Sequence, residues 1–173
     1  MTTMAHDHQQ TATRRAWHVA AQLVDPEIPV ISIADLGILR DVQVDGERVT
    51  ATITPTYSGC PALDAIRADL DQALRAAGFT EVVIKTALSP AWTTDWITAA
   101  GREALETFGI APPAVATPSA TTRSGPVTVQ LSVHCPQCGS LNTEETSHFG
   151  STSCKALWRC RDCHEPFDYF KAL

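Results

Sequence analysis

Thr52-Ile53-Thr54-Pro55-Thr56-Tyr57-Ser58-Gly59-Cys60-Pro61-Ala62-Leu63-Asp64-Ala65-Ile66 is the stretch on which the fold turns. Val49, Ala51 and Ile53 alternate into it and read as one face of a strand. Pro55 breaks that alternation, and Ser58-Gly59 signals a turn. Pro61 stands where a first helical residue prefers to be, because its missing N–H is not needed there. Leu63, Ile66, Leu70, Leu74 and Ala77 then recur at helical spacing. Cys60 is therefore expected on a strand-to-helix turn, at or next to a helix N-terminus. Free N–H groups and the helix dipole favour a thiolate at such a place. Two readings of Cys60 stand on the residues alone: a reactive thiol or metal ligand, and a small buried hydrophobe.

Upstream of this stretch, residues 1–12 are polar and are expected to be a disordered tail. Thr13 can cap a helix from about Arg14 to Val24, with Trp17, Ala20, Ala21 and Val24 on its apolar face. Asp25-Pro26-Glu27-Ile28-Pro29 cannot continue a helix through two prolines. Asp25, Glu27 and Asp35 place three carboxylates in this loop. Singly, each reads as a cap or turn residue. Together, if the loop folds over Cys60, they would supply acceptors or hard ligands beside a thiolate. Ile38 to Val44 reads as a strand, Asp45-Gly46 as a hairpin turn and Glu47 to Thr54 as its partner.

Downstream, the helix from Pro61 closes at Gly78, and Glu81 to Leu88 reads as a third strand. Ser89-Pro90-Ala91-Trp92-Thr93-Thr94-Asp95 leads into a further helix closed by Gly109. Trp92, Trp96, Ile97, Ala100, Ala104, Leu105 and Phe108 form its expected apolar face. The order α-β-β-α-β-α over residues 13–110 predicts a two-layer α+β domain. Residues 111–126 hold Pro112, Pro113, Pro118 and Pro126 among small residues and read as a linker.

A second module follows over residues 127–173. It opens with an alternating strand, Val127 to Val133, and carries Cys135-Pro136-Gln137-Cys138 and Cys160-Arg161-Asp162-Cys163. Two such pairs offer four thiolates that close a tetrahedron, so a small β-rich zinc ribbon is expected with zinc in a structural role. A module this small lacks a sufficient core, and a metal makes up the deficit. An iron ion in the same four-cysteine site would instead make a rubredoxin-like electron carrier. Cys154 is left over from this arrangement.

The 173 residues carry a formal net charge of −6, which argues against nucleic-acid binding as the main task. No stretch approaches the roughly 18 apolar residues that a membrane-spanning helix needs. No apolar leader is evident, which places the chain in the cytoplasm by default.

The motifs Asp25-Pro26-Glu27-Ile28-Pro29, Asp35-Leu36-Gly37 and Thr54 to Pro61 resemble those of the SufT-like iron–sulfur assembly domain family. With Ser89 to Ile97 and the terminal four-cysteine ribbon, the chain resembles the PaaD family of accessory proteins of bacterial phenylacetyl-CoA epoxidases. The resemblance implies a maturation helper rather than an enzyme, acting in aerobic phenylacetate degradation. It implies Cys60 as a transient ligand for iron or an iron–sulfur cluster, with Asp25, Glu27 and Asp35 as its acidic loop. The implied partners are epoxidase subunits, either the [2Fe–2S] reductase or the di-iron oxygenase, with the ribbon docking the client. A second copy of the chain could bring a second Cys60 to one cluster. A structural scaffold subunit, inert at Cys60, is the remaining alternative.

Overall fold

A computed structural model describes residues 2–113 and 133–171. The chain divides into two compact units, Met1–Ala104 and Leu105–Leu173. The order is α1 (Thr2–Ala21), β1 (Leu39–Asp45), β2 (Arg48–Ile53), α2 (Leu63–Ala76), β3 (Glu81–Thr86), α3 (Ala99–Thr107), β4 (Ile110–Ala111), β5 (Thr143–Ser147), β6 (Lys155–Cys160) and β7 (Pro166–Phe170). This is the expected mixed α+β architecture followed by a small β-rich module.

In the first unit β1 and β2 form the predicted hairpin, and β3 runs parallel to β2 in the order β1-β2-β3. Gly46 turns the hairpin at φ +61°. Leu39, Val42, Val44, Val49, Ala51 and Ile53 are buried, as expected where one face of the sheet is covered. α2 buries Ile66, Leu70 and Leu74 along one stripe, and Gly78 ends it at φ +94°. Pro61 is not its first residue. Ala62 holds the N-cap position, and Pro61 precedes it.

Three local expectations are corrected. First, α1 begins at Thr2, so residues 2–12 of the expected disordered tail are helix. No proline or glycine interrupts the chain before Asp25, and the Gln9 side chain donates to the Val44 carbonyl at 2.8 Å. Second, α1 ends at Ala21, and its packed positions are Ala16 and Ala20, spaced i,i+4. Trp17 and Val24 lie exposed instead. Small side chains on the packed stripe let a helix lie close to its support. Third, Trp92 to Ile97 is not helical apart from one 3-10 turn at Thr94–Trp96, so α3 starts only at Ala99. Phe108 lies past the end of α3 and is exposed.

The acidic loop is itself core. Ile28, Ile31, Ile33, Leu36 and Ile38 are each at most 1% exposed. The Trp92 indole N–H donates to the Leu36 carbonyl at 3.0 Å, tying the segment before α3 to this loop. Gly37 sits there at φ +77°, where an added Cβ would lie 2.6 Å from the Trp96 Cβ.

In the second unit four strands pair in the order β4-β7-β6-β5. Ile110–Ala111, expected at the end of the first domain and the start of the linker, forms β4 parallel to β7. Ala111, Val133, Cys135, Ala156, Cys160, Phe167 and Tyr169 make the core, with Trp158 against it. The rest of the predicted linker from residue 114, and the predicted strand Val127–Val133 up to residue 132, lie outside the described residues. Among the described residues, no helix is long and apolar enough to cross a membrane.

Candidate metal centre and the Cys60 turn

Two tight knuckles build the four-cysteine centre. In the first, the Gly139 N–H returns to the Cys135 carbonyl at 2.8 Å, and Gly139 takes φ +74°. In the second, Cys160, Cys163 and His164 take the corresponding positions, and His164 takes φ +67°. β6 delivers Cys160 at its last residue, and the Cys160 N–H bonds to the Glu165 carbonyl at 3.0 Å. The sulfurs of Cys135 and Cys163 are 3.7 Å apart, and those of Cys138 and Cys160 are 3.6 Å apart. All four sulfurs lie within 4.8 Å of one another. Metal–sulfur bonds of about 2.3 Å in a tetrahedron require sulfur–sulfur edges of about 3.8 Å, so the donor set fits a tetrahedral ion.

The electrostatics point the same way. The Cys163 N–H donates to the Cys160 sulfur at 3.5 Å and holds that thiol down to about 7. The Glu165 N–H favours a Cys163 thiolate, but burial and the sulfurs of Cys160, Cys138 and Cys135 outweigh it and push Cys163 up to about 12. Four crowded sulfurs do not all ionise unaided; a bound cation supplies the charge that lets them.

Asp162 joins the knuckles and escaped the sequence reading. Its carboxylate accepts the Ser140 hydroxyl and, at 2.7 Å, the Asn142 amide. Both bonds hold the Asp162 carboxyl below the usual range, Ser140 contributing most. The Arg161 N–H bonds the Asn142 carbonyl at 2.8 Å on the same bridge. The sequence signal for it was a polar residue, Asp162, inside the second cysteine pair. Cys154 is buried away from the centre, with its sulfur 3.0 Å from the Thr152 hydroxyl.

Cys60 lies where the strand-turn-helix reading put it. After β2, the Thr54 N–H bonds the Ile38 carbonyl at 2.8 Å, and Thr54 and Thr56 are buried. Ser58 and Gly59 then emerge to solvent. The Cys60 N–H bonds the Tyr57 carbonyl, and the Cys60 carbonyl accepts the Leu63 N–H, each at 3.2 Å. Two linked turns thus place Cys60, a half-buried residue, just ahead of α2.

The acidic loop holds itself together. Asp25 is 4% exposed, and its Oδ1 accepts the Glu27 and Ile28 N–H groups at 2.9 and 3.0 Å. Asp35 accepts the Ser32 hydroxyl and the Thr98 hydroxyl, both at 2.7 Å. Its carbonyl also takes the Thr98 N–H at 2.9 Å. Thr98 in turn caps α3 by accepting the Gly101 N–H at 3.0 Å. Glu27 is half-buried between these anchors. Among the described residues, the four ribbon thiols are the one group of three or more potential ligands gathered to metal-binding distance. Cys60, Asp25, Glu27 and Asp35 do not form another.

Comparison with known proteins divides the chain along the same line. Residues 18–84 match the family model of iron–sulfur cluster assembly proteins, which spans the acidic loop, the Cys60 turn and α2. Residues 119–171 match the PaaD zinc β-ribbon domain. The chain is 46% identical over 157 residues to an Escherichia coli K12 protein described as a subunit of 1,2-phenylacetyl-CoA epoxidase, covering 91% of each. It is 38% identical over 73 residues to an Fe-S protein maturation auxiliary factor of Porphyromonas gingivalis, covering 41% of this chain and 69% of that protein. The crystal structure of a DUF59 domain from Bacillus anthracis matches with a TM-score of 0.54 at 23% identity. It covers 58% of this chain and 96% of that one, and shows a shared fold.

Proposed function

Because the chain belongs to the PaaD family of phenylacetyl-CoA epoxidase proteins, we propose that it is an accessory factor of such an epoxidase that helps assemble a metal centre in a client subunit. The cargo is iron or an iron–sulfur cluster, and the client is the [2Fe–2S] reductase or the di-iron oxygenase. The chain binds and hands over; it does not turn over the acyl-CoA substrate.

One observation carries this reading: a half-buried cysteine on a strand-to-helix turn, inside a segment that matches iron–sulfur assembly proteins. We assign Cys60 as the transient ligand. A cluster ordinarily takes four protein thiolates, so the client completes the set and then keeps the cargo. Asp25 and Asp35 act by shaping the loop, since their carboxylates accept hydrogen bonds from its own backbone and hydroxyls. Glu27, half-buried between them, is the acidic residue we assign to meet the cargo. The ribbon holds a structural zinc and docks the client. Four thiolates fill a tetrahedral ion and leave no open position. Leu141 and Phe149, exposed on this unit, give it apolar contact area.

The test is co-expression of reductase and oxygenase with the wild-type chain or Cys60→Ser, reading iron and acid-labile sulfide per client and epoxidase activity. The expected result is an under-loaded client with Cys60→Ser, while zinc per accessory chain is unchanged. A fully loaded, fully active client would overturn the assignment of Cys60. Iron in the ribbon that cycles reversibly between two oxidation states would favour an electron carrier instead.

A further inference from the structure

The two edges of the first sheet are treated differently. β1 is protected: its register is broken by a bulge between Leu39 and Asp41, Arg40 and Asp45 charge its rim, and Gln9 caps the Val44 carbonyl. β3 has neither the bulge nor the cap, and its exposed charges, Glu81 and Lys85, are one of each sign. Its six residues keep unbroken register with β2, and Val82, Val83 and Ile84 are all only half-buried. The Glu81 N–H bonds the Glu47 carbonyl and the Ala87 N–H bonds the Ile53 carbonyl. Odd-numbered residues of β3 therefore turn their backbone groups to β2, and Val82, Ile84 and Thr86 turn theirs outward. Among the described residues, no strand pairs with that edge.

We propose that this edge pairs with the same edge of a second copy, making a two-fold dimer with a continuous six-stranded sheet. The strand Glu81-Val82-Val83-Ile84-Lys85 reads as its own complement when run antiparallel about Val83. Val82 then faces the partner's Ile84, and both are residues whose backbone groups point outward, so each pair exchanges two hydrogen bonds. Glu81 faces the partner's Lys85, and Lys85 the partner's Glu81, on the side of the sheet shared with Arg48. Shifting the register by one hydrogen-bonded pair either way loses both charge matches. An isologous contact of this kind closes at two chains. β2 and β3 run in the same direction, and Cys60 follows the end of β2. The dimer therefore places its two Cys60 turns at opposite ends of the sheet, and each serves its own client rather than sharing a cluster with the other. The dimer does not depend on the role given to Cys60.

The experiment is sedimentation velocity of the full chain at tens of micromolar, on wild type, Glu81→Lys, Lys85→Glu, the double exchange, and an equal mixture of the two single variants. Both side chains are exposed, so the variants are expected to fold, and circular dichroism checks this. Wild type is expected at twice the chain mass. Each single variant sets like charges opposite each other twice per dimer and is expected to weaken association roughly tenfold or more. The double exchange and the mixture restore the opposite pairs and are expected to recover the dimer. A single-chain mass for wild type overturns the proposal. So does a dimer that neither single variant weakens, or weakened singles that neither the exchange nor the mixture rescues.

Discussion

Asp35→Ala separates two roles for the acidic loop. As a cargo ligand, Asp35 would contribute little to stability and much to client loading. As a clamp, it would do the reverse. Its side chain accepts two hydroxyls at 2.7 Å, from Ser32 and Thr98, while its backbone bonds, N–H to the Ser32 hydroxyl oxygen and carbonyl from the Thr98 N–H, survive the substitution. A hydrogen bond to a charged group contributes about 1.5–3 kcal/mol net at best, and this carboxylate is half-exposed, so the pair together is expected to contribute about 2 kcal/mol. Asp35→Asn retains one acceptor oxygen and should lose about half as much. The assay is urea unfolding followed by tryptophan emission in a Trp158→Phe background. The three remaining tryptophans, Trp17, Trp92 and Trp96, all lie in the first unit. A loss within about 0.5 kcal/mol for Asp35→Ala, with client iron loading abolished, would refute the clamp and make Asp35 a ligand.

Two other substitutions test the frame around each site. Gly37→Ala puts a Cβ 2.6 Å from the Trp96 Cβ at φ +77°, and strain plus overlap should cost about 3 kcal/mol. Gly46→Ala, at φ +61° with nothing within 4 Å, should cost about 1–2 kcal/mol in the same urea unfolding assay, and equal losses would show that Trp96 yields freely. Asp162→Ala removes the bridge between the knuckles and should weaken zinc binding about 10–100-fold in competition with a chelating dye, whereas unchanged affinity would make the bridge idle.

Local chemistry was readable wherever it was carried by short-range pattern. Pro55, Ser58-Gly59 and the stripe from Ile66 to Leu74 marked strand end, turn and helix, and so located Cys60. The two cysteine pairs announced the metal centre because spacing alone lets two sulfurs reach one ion. What could not be read depends on distant partners. Asp35 is tied to Thr98, Trp92 to Leu36 and Asp162 to Ser140, and nothing near each residue names its partner. The isoleucines of the acidic loop were core without any periodicity to show it, because an irregular loop imposes none. Ile110 and Ala111 looked like the run-up to a linker, since a two-residue strand carries no alternation to detect.

The ligand counts of the two sites set opposite kinetic demands, and this is the physical ground for giving them different tasks. Four sulfurs at tetrahedral spacing satisfy an ion completely, so release requires several bonds to break while the knuckles, held by Asp162, keep the donors in place. Such a site stabilises a small module and is unsuited to hand its ion on. On the proposed reading, a single thiol at Cys60 would satisfy one position of an iron and leave the others to water or to an incoming protein. A client with three or four preorganised ligands would then outcompete it without any conformational work by the donor. Adding a second strong ligand beside Cys60 should therefore raise the amount of iron the chain retains and lower the amount the client receives. Gly59→Cys, on the exposed turn, is the substitution that makes this trade measurable.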